Sequence, residues 1–232
     1  MIATAPRCTG PRRGLVVELA GPAGAGKSTL ARALAELGAG GRRLAVWGLP
    51  PGALLAGAAG VVPAALAAVG GGRPFRPGEL AQMVRIDALR QIVDRARRTT
   101  ESVVILDEGP VFGLSWFEVF HGRNGDPGWA AWRRRAVAEW ARCLDAVVYV
   151  DAEDAVLASR IRTRVKPHPV KNADDDAITD FTARFRLAFA HVFDDLHAAG
   201  HVPVLRLRDD VTDPRHAAIR LRAVLEDLRH GR

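Results

Sequence analysis

Residues 21–28 constrain the fold more than any other segment of this chain, because they form a glycine-rich loop with a lysine at a fixed position. They read Gly-Pro-Ala-Gly-Ala-Gly-Lys-Ser and match the pattern G-x-x-x-x-G-K-[ST] at every fixed position. An apolar run, 15–20, precedes the loop, and a helical pattern, 28–37, follows it. A strand, a glycine turn and a helix in that order form a concave nest of backbone N–H groups, which binds phosphate.

Each residue of this loop has a predicted role in holding a nucleoside triphosphate. Lys27 is predicted to reach the β- and γ-phosphates as a point charge, and the Ser28 hydroxyl is predicted to ligate Mg²⁺. Thr29 is expected to add a contact to the α-phosphate. The remaining phosphate contacts are predicted for the loop residues Gly21, Ala23, Gly24, Ala25 and Gly26.

The rest of the chain alternates short apolar runs with helical patterns. Runs rich in β-branched residues lie at 15–20, 44–47, 103–106, 146–150 and 202–207. Helical patterns lie at 28–37, 79–98, 129–144, 155–165, 180–199 and 214–228. Continuous apolar strands between helices are typical of a parallel sheet covered on both faces, so we predict one α/β domain over 14–232 after a flexible basic tail, 1–13.

A pair of acids follows the third apolar run. Asp107 and Glu108 come directly after 103–106. In open α/β sheets ligands bind at the carboxyl ends of the strands, where Asp107 is predicted to hold Mg²⁺ or its water shell. The two carboxylates either divide the work, one on the metal and one deprotonating an acceptor hydroxyl, or Glu108 polarises a water and the protein hydrolyses ATP.

A basic segment follows the fourth apolar run. Residues 155–173 carry five cations and no acid. Arg160 and Arg164 are one helical turn apart and share a face, whereas Arg162 points away. The segment is suited to a lid at about 160–175 whose arginines stabilise a transferred phosphoryl group, and a solvated basic surface is the alternative.

These features together resemble the P-loop nucleoside/nucleotide kinase superfamily, and most of all its thymidylate-kinase-like members. The resemblance covers nearly all of 14–229, and the phosphate loop is its most specific part. It implies a three-layer fold with five parallel strands in the order 2-3-1-4-5, a mobile lid, and ATP with Mg²⁺ as the phosphate donor. It also assigns Arg160 and Arg164 to the lid and places Arg208, after the last strand, beside the adenine.

The acceptor half of the sequence departs from that family. The second strand runs into Gly-Leu-Pro-Pro-Gly, and Glu108-Gly-Pro follows Asp107, so dTMP or a deoxynucleoside is not expected as the acceptor. Arg85, Asp87 and Trp116 are the candidate acceptor residues. Arg85 either binds an acidic group or faces solvent, and the aromatic side chains Trp116, Phe117 and Phe120 either stack on a ring or belong to the core. His121 and His168 are expected to be solvated.

The leading prediction is an ATP-dependent phosphotransferase acting on a small hydroxyl- or phosphate-bearing molecule. No guanine-reading N-K-x-D follows the loop, and no LSGGQ-like stretch is present. The alternatives are an ATP-hydrolysing regulatory NTPase and a nucleotide-binding switch with no acceptor. ATP, Mg²⁺ and a small acceptor are therefore the predicted partners.

The net charge of +7 first suggests nucleic acid, but its location does not. The tail, 1–13, carries +3 and the segment 155–173 carries +5, so the remaining 25 cations face 26 anions. A nucleic-acid partner is therefore not expected. Two cysteines are too few for a disulfide framework, so a reducing cytoplasm is the expected location. The uncharged stretch 44–72 contains Pro63 and is short for a membrane span, so small buried helices or a self-association surface, as in a homodimer, are predicted there.

Overall fold

Five parallel strands form the centre of the molecule. The computed structural model describes residues 14–38, 41–71, 73–99, 103–122, 125–208 and 213–230. The strands are β1 (Val16–Ala20), β2 (Arg43–Leu44), β3 (Val104–Asp107), β4 (Ala146–Asp151) and β5 (Val204–Arg208). Their order is β2-β3-β1-β4-β5, which confirms the predicted α/β fold and the strand order that the resemblance implied. The predicted tail lies outside the described residues, as do 209–212.

The described residues form eight helices around this sheet. They are α1 (Lys27–Glu36), α2 (Pro51–Gly70), α3 (Pro77–Thr99), α4 (Pro110–Phe120), α5 (Pro127–Cys143), α6 (Asp154–Arg162), α7 (Asp175–Gly200) and α8 (Pro214–His230). Five of them begin with proline, whose missing N–H is not needed in the first turn of a helix. Aspartate side chains cap the first turns of two helices. Asp126 accepts from the Trp129 amide at the start of α5, and Asp174 accepts from the Ala177 amide at the start of α7.

Alternate residues of each strand face opposite helical layers. Val16 and Ala20 of β1 belong to a large core that β1, β3 and β4 share with α2, α3, α4, α5 and α7. Val17 and Leu19 belong to a smaller core with α1 and α8. Both faces of the sheet are therefore buried, which explains the continuous apolar runs in the sequence. All five strands end at one edge of the sheet, and the phosphate loop and Asp107 lie there.

The second strand is shorter than the run 44–47 predicted. β2 pairs with Ile105 and Leu106 of β3 over two residues only. Beyond β2 the Val46 amide donates to the Glu108 carbonyl at 3.1 Å, and Gly48 turns the chain at φ 71°. The strand pairing with β3 therefore ends at Leu44, and one backbone hydrogen bond beyond it joins the chain to the turn after β3.

The uncharged stretch forms one continuous helix rather than the small helices predicted. The 20 residues of α2 run through Pro63, and Val61, Ala64 and Ala68 are buried on its inner side. That side packs on α3 and α5, and Gly57 permits the approach, since a Cβ there would lie 2.5 Å from the Val84 carbonyl oxygen. Among the described helices, α2 alone is long and apolar enough to cross a membrane. Its most apolar 18 residues have a mean hydropathy of 2.0, and 22% of them are buried in the protein.

Candidate active site

The phosphate loop lies between β1 and α1 and takes a conformation that glycine permits. Gly21, Gly24 and Gly26 have φ of 142°, 85° and 90°. A Cβ on Gly21 would lie 1.9 Å from the Val150 carbonyl oxygen, so β4 passes too close for any side chain there. The loop therefore depends on glycine for both its dihedral angles and its closeness to the neighbouring strand. Helix α1 begins at Lys27 and points its amino-terminal end at the loop.

Lys27 is half-buried against the loop whose phosphates it is predicted to bind. Its Nζ donates to the carbonyl oxygens of Gly21 at 2.8 Å and Pro22 at 2.9 Å. Burial lowers the pKa of Lys27 to about 8, and the negative charges of Asp107 and Glu108 oppose that shift. The ammonium group is therefore mostly protonated at pH 7 and is held at the loop, where a phosphate would add a favourable charge.

Ser28 and Asp107 lie in contact at the end of the sheet. The Ser28 hydroxyl donates to Asp107 Oδ2 at 3.2 Å, and the Arg43 guanidinium from β2 pairs with the same carboxylate. A hydroxyl and a single carboxylate beside a phosphate loop suit Mg²⁺, which prefers oxygen ligands and takes the rest from water and phosphate. The described residues contain no cluster of three or more His, Cys, Asp or Glu that would hold a metal by itself. The two residues fit a magnesium ion that phosphate also ligates.

Glu108 is turned into the site by an unusual backbone conformation. Its φ is 64°, in the left-handed region that residues other than glycine rarely adopt, and such positions cluster at functional sites. Its carboxylate accepts from the indole nitrogen of Trp47. The guanidinium of Arg85 lies 4.7 Å from the centre of the Trp47 ring, so this predicted acceptor residue contacts the back of the site through a cation–π contact.

A buried acid that the sequence analysis did not select supports the turn after β3. Glu18, in the middle of β1, is fully buried, and its carboxylate accepts from the amides of Gly109 at 3.1 Å, Val111 at 2.9 Å and Phe112 at 3.0 Å. Glu18 therefore caps α4 and fixes the turn that carries Asp107 and Glu108. Burial raises the pKa of Glu18 to about 8 against the lowering effect of these hydrogen bonds. The feature of the sequence that could have identified Glu18 is that it is the single charged residue in the apolar run 15–20.

The basic segment places its arginines on two sides. Arg160 donates to the Gly24 carbonyl of the phosphate loop at 3.1 Å, and Arg164 lines the same cavity. Arg162 instead pairs with Asp175, at the start of α7. The helical spacing thus separates Arg162 from the two arginines predicted for the lid.

One large cavity, of about 870 Å³, joins these groups. The phosphate loop, Thr29, Asp107, Glu108, Arg160 and Arg164 line its middle. Leu207, Arg208, Pro214, Ala217 and Arg220, from the β5 side of the sheet, line one end. Six aromatic side chains line the other end, and we call them the aromatic wall: Trp47, Phe112, Trp116, Phe120, Phe181 and Phe185.

The predicted acceptor residues have different positions relative to this cavity. Trp116 lines it, whereas Phe117 is a core residue with 1% exposure. Asp87 is buried away from the cavity, where its carboxylate pairs with Arg135 at 2.6 Å. Because that ion pair satisfies Asp87 between α3 and α5, the fold does not bring it to the site.

Neither histidine has the solvated position that we predicted. His121 Nδ1 lies 3.3 Å from Glu79 Oε1, and the His121 side chain is 15% exposed. His168 lines the cavity with its Nδ1 buried, and its ring meets the Phe181 ring edge-on at 5.2 Å. Burial, together with the charge of Arg164, lowers the pKa of His168. Both side chains were missed because their neighbours come from distant parts of the chain.

Comparison with solved structures finds shikimate kinases. One from Bacteroides thetaiotaomicron matches with a TM-score of 0.52 and 17% identity, over 91% of this chain and 98% of that chain. Another, from Acinetobacter baumannii in complex with shikimate, gives a TM-score of 0.47 and 16% identity, over 92% of this chain and 94% of that chain. No family model matches the sequence, and neither does any curated protein.

The fold is that of the P-loop kinases. This agrees with the fold and the strand order that the resemblance implied. At 17% identity the likeness extends to the fold alone, so the thymidylate-kinase-like assignment stays a prediction.

Proposed function

We propose that this protein is an ATP-dependent phosphotransferase that moves the γ-phosphoryl group of ATP–Mg²⁺ to a small hydroxyl- or phosphate-bearing acceptor. The observation that carries the proposal is that one cavity joins the phosphate loop to a second compartment lined by side chains. A phosphoryl donor and an acceptor need such adjacent compartments, because positioning supplies much of the catalysis in phosphoryl transfer. A switch or a simple hydrolase needs only the first compartment.

The roles follow from charge and position. The loop amides and Lys27 bind the phosphates, and Arg160 and Arg164 stabilise the charge that develops on the transferred group. Arg208, which lines one end of the cavity, is the proposed contact to the adenine. Mg²⁺, held by Ser28 and Asp107, would neutralise the phosphate oxygens. Glu108, held by Trp47 and directed into the cavity, is suited to accept the proton of the acceptor.

The test follows ADP release from ATP–Mg²⁺ with separate pools of nucleosides, nucleotides, sugars and antibiotics. We expect at least one pool to raise the rate, and Lys27→Ala to lower it by about 100-fold or more. Lys166→Ala is the matched control, because Lys166 is exposed and lies outside the cavity lining. Full-rate hydrolysis that no pool changes would favour the regulatory NTPase instead, and a fully active Lys27→Ala would remove the phosphate loop from the mechanism.

The same proposal includes a reducing cytoplasm as the place of action. It is supported by the cysteine content, because two cysteines are too few for a disulfide framework.

A further inference from the structure

The aromatic wall is built from three separate segments of the chain. Trp47 follows β2, Phe112 belongs to α4 with Trp116 and Phe120, and the remaining two rings belong to α7. Ring centres lie 5.4 Å apart for Trp116 and Phe120, 6.0 Å for Phe120 and Phe185, and 5.0 Å for Phe181 and Phe185. Phe112 joins the same cluster, with its ring centre 6.4 Å from that of Phe185. Five contacting rings therefore line the cavity, and Trp47 lines it beside Glu108.

This wall combines anchored rings with accessible ones. Phe181 and Phe185 are 5% and 6% exposed, so the core holds them in place. Trp47 and Phe120 are 51% and 42% exposed. Keeping large aromatic surfaces in water forgoes the free energy of burial, and a ligand that covered them would recover it at about 25 cal/mol per Å².

Charge is distributed unevenly along the cavity. Among the described residues that line it, the cations are Lys27, Arg160 and Arg164 at the phosphate loop, with Arg208 and Arg220 at the opposite end. The aromatic wall itself contributes no basic side chain, and the two arginines that stack on its rings, Arg85 on Trp47 and Arg184 on Phe181, lie outside the cavity lining. A phosphate or carboxylate lying against it would lose hydration without gaining an ionic partner, which is costly. The wall therefore disfavours an anionic acceptor.

His168 supplies the wall with one polar contact. Its Nδ1 is buried and has no hydrogen-bond partner within the described protein, and its ring lies against Phe181. A neutral imidazole can donate one hydrogen bond and accept another, and the lowered pKa of this histidine favours that form. Because Nδ1 is out of reach of the cavity, Nε2 is the ring nitrogen left for a polar group of a mostly apolar ligand.

We propose that the acceptor is an uncharged, planar, largely apolar molecule that carries a hydroxyl group, with its ring against the aromatic wall and a polar group at His168. The inference rests on the proposed function and specifies its substrate class. In the reaction the acceptor oxygen forms a bond to the γ-phosphorus as the bond to the bridging oxygen of ADP breaks. The hydroxyl proton passes to a carboxylate at the end of β3, and ADP leaves.

The experiment measures binding by isothermal titration calorimetry in the presence of ADP and Mg²⁺. The probes are 2-naphthol as the planar apolar alcohol, myo-inositol as a polar one, and AMP as a charged one. We expect 2-naphthol to bind at least about tenfold more tightly than either of the others. Trp116→Ala and Phe120→Ala should each weaken its binding by about fivefold, and His168→Ala should weaken it as well. If Trp116→Ala fails to fold, Phe120→Ala decides, since it removes an exposed ring.

Leu187→Ala is the matched control, because Leu187 lies on α7 between the two anchored rings in sequence but is 60% exposed and outside the cavity lining. Equal or tighter binding of myo-inositol or AMP would overturn the inference, and so would unchanged 2-naphthol binding in both aromatic variants. ATP binding by wild type and Lys27→Ala, measured in the same series, tests the proposed function separately. Unchanged ATP binding in Lys27→Ala would reject the phosphotransferase, whereas a Lys27-dependent ATP site with no 2-naphthol binding would reject the acceptor class alone.

Discussion

The phosphate loop and the aromatic wall line the same cavity but are built from different kinds of contact. The loop is eight consecutive residues whose shape comes from glycine dihedral angles and the passage of Val150. The wall is six side chains from three segments, and two of them belong to α7, a helix far along the chain. A short backbone motif therefore determines the phosphate end, whereas tertiary packing determines the acceptor end.

This difference affects how each region responds to substitution. At the loop, adding an atom is disruptive, because the backbone has no room for it. At the wall, removing an atom changes the shape of the compartment but leaves the backbone in place. Substrate specificity can thus diverge at the wall while the phosphate-binding loop stays the same.

Gly21→Ala is expected to have the largest effect and tests whether the loop depends on close approach. Its Cβ would overlap the Val150 carbonyl oxygen, whereas a Cβ on Gly38, which also has positive φ, meets no atom within 4 Å. We expect Gly21→Ala to lower the free energy of unfolding by about 2–4 kcal/mol more than Gly38→Ala does, as measured by urea unfolding. Equal losses would show that dihedral strain alone is at work.

The arginines of the basic segment test how the middle of the cavity contributes to turnover. Arg160→Ala and Arg164→Ala should each lower kcat for ATP turnover by about 10- to 100-fold, with a smaller change in KM, because their charges matter most in the transition state. Steady-state kinetics measures both constants. Arg162→Ala is the control, since its guanidinium pairs with Asp175. A similar loss of kcat in the control would argue for a structural role of the whole segment.

Glu18→Gln tests the buried carboxyl group that holds the turn between β3 and α4. The folded pKa of Glu18, about 8, lies above its ordinary value of 4.5, so the folded protein holds this proton where the unfolded chain has lost it. That stabilising contribution is fully present below the unfolded pKa and is lost as the pH rises through the folded pKa. Between pH 5 and pH 7, wild type should lose about 1–2 kcal/mol more stability than Glu18→Gln.

Urea unfolding at several pH values measures that difference, with Glu153→Gln as an exposed control that should keep the wild-type slope. Parallel pH profiles for wild type and Glu18→Gln would mean that the Glu18 carboxyl is not the titrating group.

The smallest effect is expected at the outer part of the wall. Phe120→Leu should change the free energy of unfolding by less than about 0.5 kcal/mol, because the ring is 42% exposed. Phe185→Leu, on the buried side of the same wall, should cost about 1–1.5 kcal/mol. Thermal unfolding of both variants gives the comparison. Equal costs would show that the two rings are held to the same degree.

The sequence was most informative where neighbouring residues determine the structure. The glycine loop, the strand-end acid Asp107 and the separation of Arg162 from Arg164 all follow from local spacing. Glu18 could not be assigned from spacing, because its three partners follow β3 and only strand pairing brings them together. Asp87 was selected because it lies beside Arg85 in the predicted long helix, and only the packed structure shows that its carboxylate pairs with Arg135.

Pro63 misled the prediction for a similar reason. A proline inside a helix removes one hydrogen bond and usually ends or kinks the helix. Here α2 continues, because its inner side packs along α3 and α5 before and after the proline. Such packing stabilises the helix beyond its local propensity, and the sequence alone does not reveal it.

The edges of the sheet carry a further consequence, for aggregation. Exposed edge strands offer unpaired backbone groups on which another chain can add a strand. The β2 edge is only two residues long, and the β5 edge alternates apolar residues with the exposed arginines Arg206 and Arg208. A short edge and a charged edge both resist strand addition, so the sheet of this protein is poorly suited to growing into a fibril or a strand-swapped dimer.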